Sequence, residues 1–204
     1  MAAPAIDSVI FDLGGVLIDW NPRHLYRKLF DDEAAMESFL AEVWNGEWIR
    51  QHDAGRPFAE MLAELCARHP RHADHIRAFH ERWPETMAGA IDDSVSVLGE
   101  LRARGLPLYA LSNFSAETFP HARRRFAFLE WFDGLVISGE VGLLKPDPRI
   151  YRLLFERFGI DPGRGLFIDD VADNVAGAQA VGLSALRFST PEALRRDLAG
   201  LALL

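Results

Sequence analysis

The sequence predicts an α/β fold: a mostly parallel sheet with helices on both faces, plus an inserted α-helical segment. Two observations predict it. From Asp92 onward, short apolar runs that end in polar residues alternate with helical patterns, the signature of strands joined by crossover helices. Before that, between the first apolar run and Pro84, apolar residues recur at helical spacing with no convincing strand among them. A chain of 204 residues, 49% apolar and 25% charged, has the size and composition to enclose such a core.

Residues 8–11 read as a short buried strand, bounded by Asp12 and the Gly14–Gly15 pair. Three groups then mark helical faces: Leu25, Leu29 and Phe30; Met36, Phe39, Leu40 and Val43; and Phe58, Met61, Leu62 and Leu65. Three or four helices fit there. Residues 95–104 form a helix that stops at Gly105, and 106–111 a strand running into Ser112–Asn113. A helix over 115–126 and a strand over 134–137 come next. Asp147 caps a helix to 158, with Pro148 in its first turn. Residues 165–168 are a strand ending in Asp169–Asp170, 171–181 a helix ending at Gly182, and 185–188 a last strand.

The net charge of −8 argues against nucleic acid or an anionic membrane as partner. No run reaches the roughly 18 apolar residues of a membrane helix. The single cysteine, Cys66, sits in an apolar helical pattern and has no internal disulfide partner. The MAAPAID opening lacks the basic and apolar regions of a signal segment, so the expected location is cytoplasmic. The expected state is a monomer or homodimer, the apolar end Leu201–Leu204 packing on the core or on a second copy.

In open parallel sheets, ligands bind beyond the carboxyl ends of the strands. Asp12, Ser112–Asn113 and Asp169–Asp170 all fall at such ends, and Lys145 precedes the Asp147 helix. Lys145 is also one of only two lysines among 22 basic residues, in a chain that otherwise uses arginine. A compact ammonium is not interchangeable with a planar guanidinium.

FDLGGVLID, LSN, LLKPDPRIY and FIDDVADN, in that order, resemble the four motifs of the haloacid dehalogenase (HAD) superfamily. The resemblance runs from Ile10 to the helix after Asp170 and points to phosphatases with a helical cap, sugar-phosphate phosphatases among them. It implies a Rossmann-like core over 1–19 and 85–204 and a cap over 20–84. Asp12 is then the nucleophile that forms a covalent aspartyl intermediate. Asp12, the Gly14 carbonyl and Asp170 are ligands to Mg²⁺, with Asp169 and Asn174 behind them. Ser112, Asn113 and Lys145 hold a small phosphorylated substrate.

Electrostatics separates phosphoryl transfer from the superfamily's metal-free halide displacement. A phosphate dianion near Asp12 meets repulsion of about 4 kcal/mol per charge pair at 4 Å for an effective dielectric near 20. Asp169 and Asp170 add to it, and a dication with Lys145 cancels it. The acids therefore favour an Mg²⁺ phosphatase over a 2-haloacid dehalogenase; a non-catalytic relative that binds phosphometabolites or a protein is a third reading, kept open by Gly14.

One position departs from the pattern. Phosphatases of this superfamily often carry an acid two residues after the nucleophile, worth about 10² to 10⁴ in rate, where this chain has Gly14. Three accounts are open: the leaving group needs little protonation, another residue replaces the acid, with Asp19 and His24 as candidates, or the reaction is not phosphate hydrolysis. Trp20, Trp44 and Trp48 are expected in the cap, two of them as core. His69, His72, His75 and His80, like Arg123–Arg125, read as solvated faces rather than ligands.

Overall fold

The computed structural model describes residues 5–204; the first four residues of the MAAPAID opening lie outside that range. Strand β1 (Ser8–Phe11) leads to β2 (Ile18–Trp20) and then to five helices: α1 (Arg23–Tyr26), α2 (Glu33–Glu42), α3 (Gly46–Asp53), α4 (Phe58–Arg68) and α5 (Ala73–Glu81). After β3 (Met87–Ala90) come α6 (Asp92–Ala103), β4 (Leu108–Ser112), α7 (Phe119–Arg125), β5 (Gly134–Ile137) and α8 (Ser138–Val141). The chain closes with α9 (Pro148–Phe158), β6 (Gly165–Asp169), α10 (Ala172–Ala180), β7 (Ser184–Arg187) and α11 (Pro191–Gly200).

Five strands form one parallel sheet in the order β5-β4-β1-β6-β7. Every residue of β1 is buried, as a central parallel strand requires. Successive side chains point to opposite faces. Val9 and Phe11 join a cluster with Leu98 of α6 and Leu198 of α11, while Ile10 joins Ile150 of α9 and Ala178 of α10. Helices thus cover both faces. The order reverses at β1, since the chain first builds outward through β4 and β5 and then returns to β6 on β1's other side. Phe11 pairs with Ile168, and the Asp12 amide continues the ladder to the Ile168 carbonyl at 2.8 Å, which brings Asp12 level with Asp169.

The insert carries five helices rather than three or four, and two strands that the sequence does not mark. Strands β2 and β3 form a separate antiparallel pair at the base of the helical insert, with Asp19 opposite Gly89. At three and four residues, IDW and MAGA are too short to show a period, and MAGA lacks the β-branched residues that mark strands. Arg125 secures this pair by donating to the carbonyls of Met87 (2.7 Å) and Ala88 (2.8 Å). It is a clamp, not part of a plain solvated face. The histidine-rich stretch also differs: His72 and His75 are half-buried, and His75 stacks on Phe30 with ring centroids 4.2 Å apart. Apolar rings take up the surface that charge alone assigned to water.

Helix α3 joins the insert to the core. The Asn45 side chain caps it by accepting from Glu47 N–H. Gly55, at φ +97°, turns the chain just beyond its end, and a Cβ there would lie 3.2 Å from the Gly139 carbonyl. The Ser138 hydroxyl donates to the Asp53 carbonyl at 2.6 Å and accepts from Phe114 N–H at 2.9 Å. These bonds pin the carboxyl end of α3 to the loop after β4.

Candidate functional site

Lys145 is almost fully enclosed, at 1% exposure. An ammonium has three donors and no acceptor, and here each donor has a partner. Nζ donates to Asp169 Oδ2 at 2.6 Å and to the Leu111 carbonyl at 2.9 Å, and lies 2.9 Å from Asp12 Oδ1. Three strand ends of the sheet are tied through one atom. Asn113 fixes where that atom goes, because its side-chain amide accepts from Lys145 N–H (2.8 Å) and donates to the Lys145 carbonyl (3.1 Å). Asn113 is therefore a clamp on Lys145, a use the sequence does not disclose.

Asp12 is 7% exposed, and its Oδ1 accepts from Leu13 N–H at 2.7 Å. Burial pushes its carboxyl up to about 7; Lys145 pulls against this, Asp169 adds to it, and hydrogen bonds from Lys145 and Ser112 oppose it. Ser112, at the end of β4, is buried beside it. Burial works to lower Lys145, but the charges and hydrogen bonds of Asp12 and Asp169 outweigh it and hold the ammonium protonated.

Asp169 is fully enclosed and crowded with donors: Lys145 Nζ, Val171 N–H at 2.8 Å, and the Asn174 amide at 3.1 Å to each oxygen. Asn174 is itself held by Tyr151, whose hydroxyl donates to its carbonyl at 2.7 Å. Asp170 is half-buried; burial raises its pKa and the Asp169 charge raises it further. Asp12, Asp169 and Asp170 each place one carboxylate oxygen within 4.8 Å of the other two. That constellation can hold a metal ion, and the donors are hard oxygens of the kind Mg²⁺ and Ca²⁺ take.

Gly15 makes room for it. At φ +74° it occupies the left-handed region, and a Cβ there would lie 2.5 Å from Asp170 Oδ2. Gly15→Ala is therefore expected to displace the Asp170 carboxylate. Calorimetric titration should show metal affinity falling at least about tenfold, the lower range seen when a ligand loses its support.

A cavity opens beside this cluster, with about 460 Å³ of empty volume partly continuous with solvent. Gly14 and Asn113 lie at one side, and Trp20, Trp44, Phe79 and Trp83 supply apolar walls. Of the three tryptophans expected in the cap, Trp20 and Trp44 reach this cavity. Trp48 does not line it and instead packs against Arg56 and Arg68, whose guanidinium carbons lie 5.5 and 5.6 Å from its ring. Asp19 and His24 pair with each other at 2.9 Å and do not line the cavity either. The acid that does is Asp53, at the end of α3. Nothing in its local sequence sets it apart from any polar helix residue.

Comparison with known proteins gives the family. The family model described as haloacid dehalogenase-like hydrolase matches residues 6–182. A phosphatase from Mycobacterium tuberculosis is 30% identical over 97% of this chain and 95% of its own. A HAD family enzyme from Bacteroides thetaiotaomicron, solved in complex with magnesium and inorganic phosphate, superposes with a TM-score of 0.67 at 22% identity, covering 91% of this chain and 96% of that one. The L-2-haloacid dehalogenase from Xanthobacter autotrophicus, solved with chloropropionic acid covalently bound, gives a TM-score of 0.64 at 20% identity, covering 98% and 84%.

Proposed function

The chain belongs to the haloacid dehalogenase-like hydrolases, and from that premise we propose that it is a Mg²⁺-dependent phosphatase of small phosphorylated metabolites. One observation carries the choice of chemistry. A single ammonium faces three clustered carboxylates, two of them buried and the third half-buried. That excess of negative charge repels any anionic substrate until a cation joins it. The metal-free dehalogenase reading leaves the excess uncompensated, although one structural neighbour is a haloacid dehalogenase.

In this reading Asp12, the Gly14 carbonyl and Asp170 hold Mg²⁺, which when bound neutralises charge on the phosphoryl group and on the cluster. Lys145 keeps the Asp12 carboxylate aimed and opposes the burial that favours its protonation. The Ser112 hydroxyl, at the mouth of β4, holds a phosphoryl oxygen. Asp12 Oδ attacks phosphorus, the alcohol departs, and water then cleaves the aspartyl-phosphate to regenerate Asp12. Asn113 acts by positioning Lys145, and Asp169 by anchoring it from below. The insert over 20–84 serves as a lid on the core of 1–19 and 85–204, excluding water from the reacting centre. Its indole walls suit the C–H face of a sugar ring as well as an alkyl or aryl group.

The test is p-nitrophenyl phosphate turnover with Mg²⁺ and with EDTA, beside halide release from 2-chloropropionate. Turnover is expected only with Mg²⁺, restored when the ion is returned, and without halide release. Halide release indifferent to EDTA, together with no phosphatase activity, overturns the proposal.

A further inference from the structure

Resting on the phosphatase reading, we infer that Asp53 is the proton donor and acceptor of the reaction, delivered to the reacting centre by the helical insert. The chemistry imposes a need. When Asp12 displaces an alkoxide from phosphorus, the departing oxygen has to gain a proton, and the water of the second step has to lose one. The three clustered carboxyls cannot meet that need. Asp12 is bonded to phosphorus at that moment, Asp169 accepts from Lys145, Val171 and Asn174, and Asp170 would be engaged in holding the ion. Gly14, which lines the cavity, has no titratable group. A Cβ on it would meet nothing within 4 Å, so the space between Asp12's loop and the insert is open.

Asp53, at the end of α3, lines that same cavity. Its backbone is tied to the core, because its own carbonyl accepts from the Ser138 hydroxyl at 2.6 Å. It therefore moves with the core even though it belongs to the insert.

The charged groups that face it are Asp12 from the end of β1, Lys145 from the turn before α9, and Arg50 from its own helix. Burial raises the Asp53 carboxyl most, the Asp12 charge raises it further, and Lys145, the Ser115 N–H and Arg50 oppose them; the result is pushed up to about 7. A group with that affinity exchanges protons readily at neutral pH.

The steps balance. Asp12 Oδ bonds to phosphorus as the P–O bond to the substrate's alcohol breaks, and the Asp53 proton passes to the departing oxygen, leaving an alcohol and the Asp53 carboxylate. Water then attacks phosphorus and gives its proton to Asp53. The P–O bond to Asp12 breaks, releasing inorganic phosphate and restoring both side chains.

The experiment compares phenethyl phosphate, whose alkoxide needs a proton, with p-nitrophenyl phosphate, whose phenolate leaves without one, both in Mg²⁺. In the wild-type protein kcat/KM for the alkyl ester is expected to fall as pH rises through about 7, a limb absent for the aryl ester. Asp53→Asn should lower kcat/KM for the alkyl ester by about 10² to 10⁴ and for the aryl ester by less than about tenfold, and should abolish the limb. Asp53→Glu should restore part of the alkyl activity. Equal losses on both esters in a variant with wild-type circular dichroism, or a shared pH limb in the wild type, overturns the inference. Asp12→Asn separates the two claims: it should silence both esters, and turnover surviving in it sinks the covalent mechanism on which the inference rests, whatever Asp53→Asn shows.

Discussion

Asp12→Asn is expected to abolish turnover of every phosphate ester, with kcat/KM lower by at least about 10⁴, the scale of nucleophile deletions. The amide keeps an oxygen to accept from Leu13 N–H, yet it cannot attack phosphorus. The fold should not suffer. Burial and the Asp169 charge already raise the Asp12 carboxyl, so removing its charge relieves repulsion, and Lys145 retains Asp169 and the Leu111 carbonyl as acceptors. Thermal melting in EDTA should therefore leave the variant as stable as the wild type or more so. Wild-type turnover in the variant sinks the covalent mechanism. An inactive wild-type protein matched by an equally inactive variant, across a broad phosphate panel, points instead to a binding protein.

Lys145→Met is expected to damage both stability and turnover. Removing one partner of a buried ion pair leaves the other charge without compensation and costs about 3–5 kcal/mol; here two buried carboxylates lose their ammonium at once. Urea denaturation in EDTA should show that loss, and it should shrink as falling pH protonates the Asp12 carboxyl, which burial already raises to about 7. Turnover should drop by at least about 10³, since the charge stabilising the attacking carboxylate and the phosphoryl group is gone. Lys145→Arg should not rescue it. The three acceptors converge on a point, while a guanidinium presents a planar fork too large for a site with 1% exposure. A variant as stable and active as the wild type refutes the central role of this residue.

Much of this architecture is legible in the sequence alone. Asp12, Ser112, Asp169 and Lys145 can be placed together because each follows or precedes an element whose period is clear, and parallel strands align their ends. Pro148 and Asp147 mark the start of α9 to the residue, the Asp147 side chain accepting from Arg149 N–H at 2.9 Å. The hidden features depend on contacts distant in sequence. Asn113's grip on Lys145 spans 32 residues, and Asp53 acquires its character only when burial and the Asp12 charge act on it. Strands β2 and β3 are too short to announce themselves. Helix α11 lies beyond the last element the sequence pattern marks, though the Thr190 side chain caps it by accepting from Ala193 N–H.

The apolar interior has no seam between lid and base. One cluster runs from Val9 and Phe11 of the sheet through Leu17 to Met36, Trp44 and Phe58 of the insert. Heat or denaturant should therefore take both parts in a single cooperative step, since neither side keeps a complete interior without the other. The same continuity sets how this molecule breathes. Wide swinging would expose oily surface to water, so only small displacements between the insert and the sheet keep that interior dry.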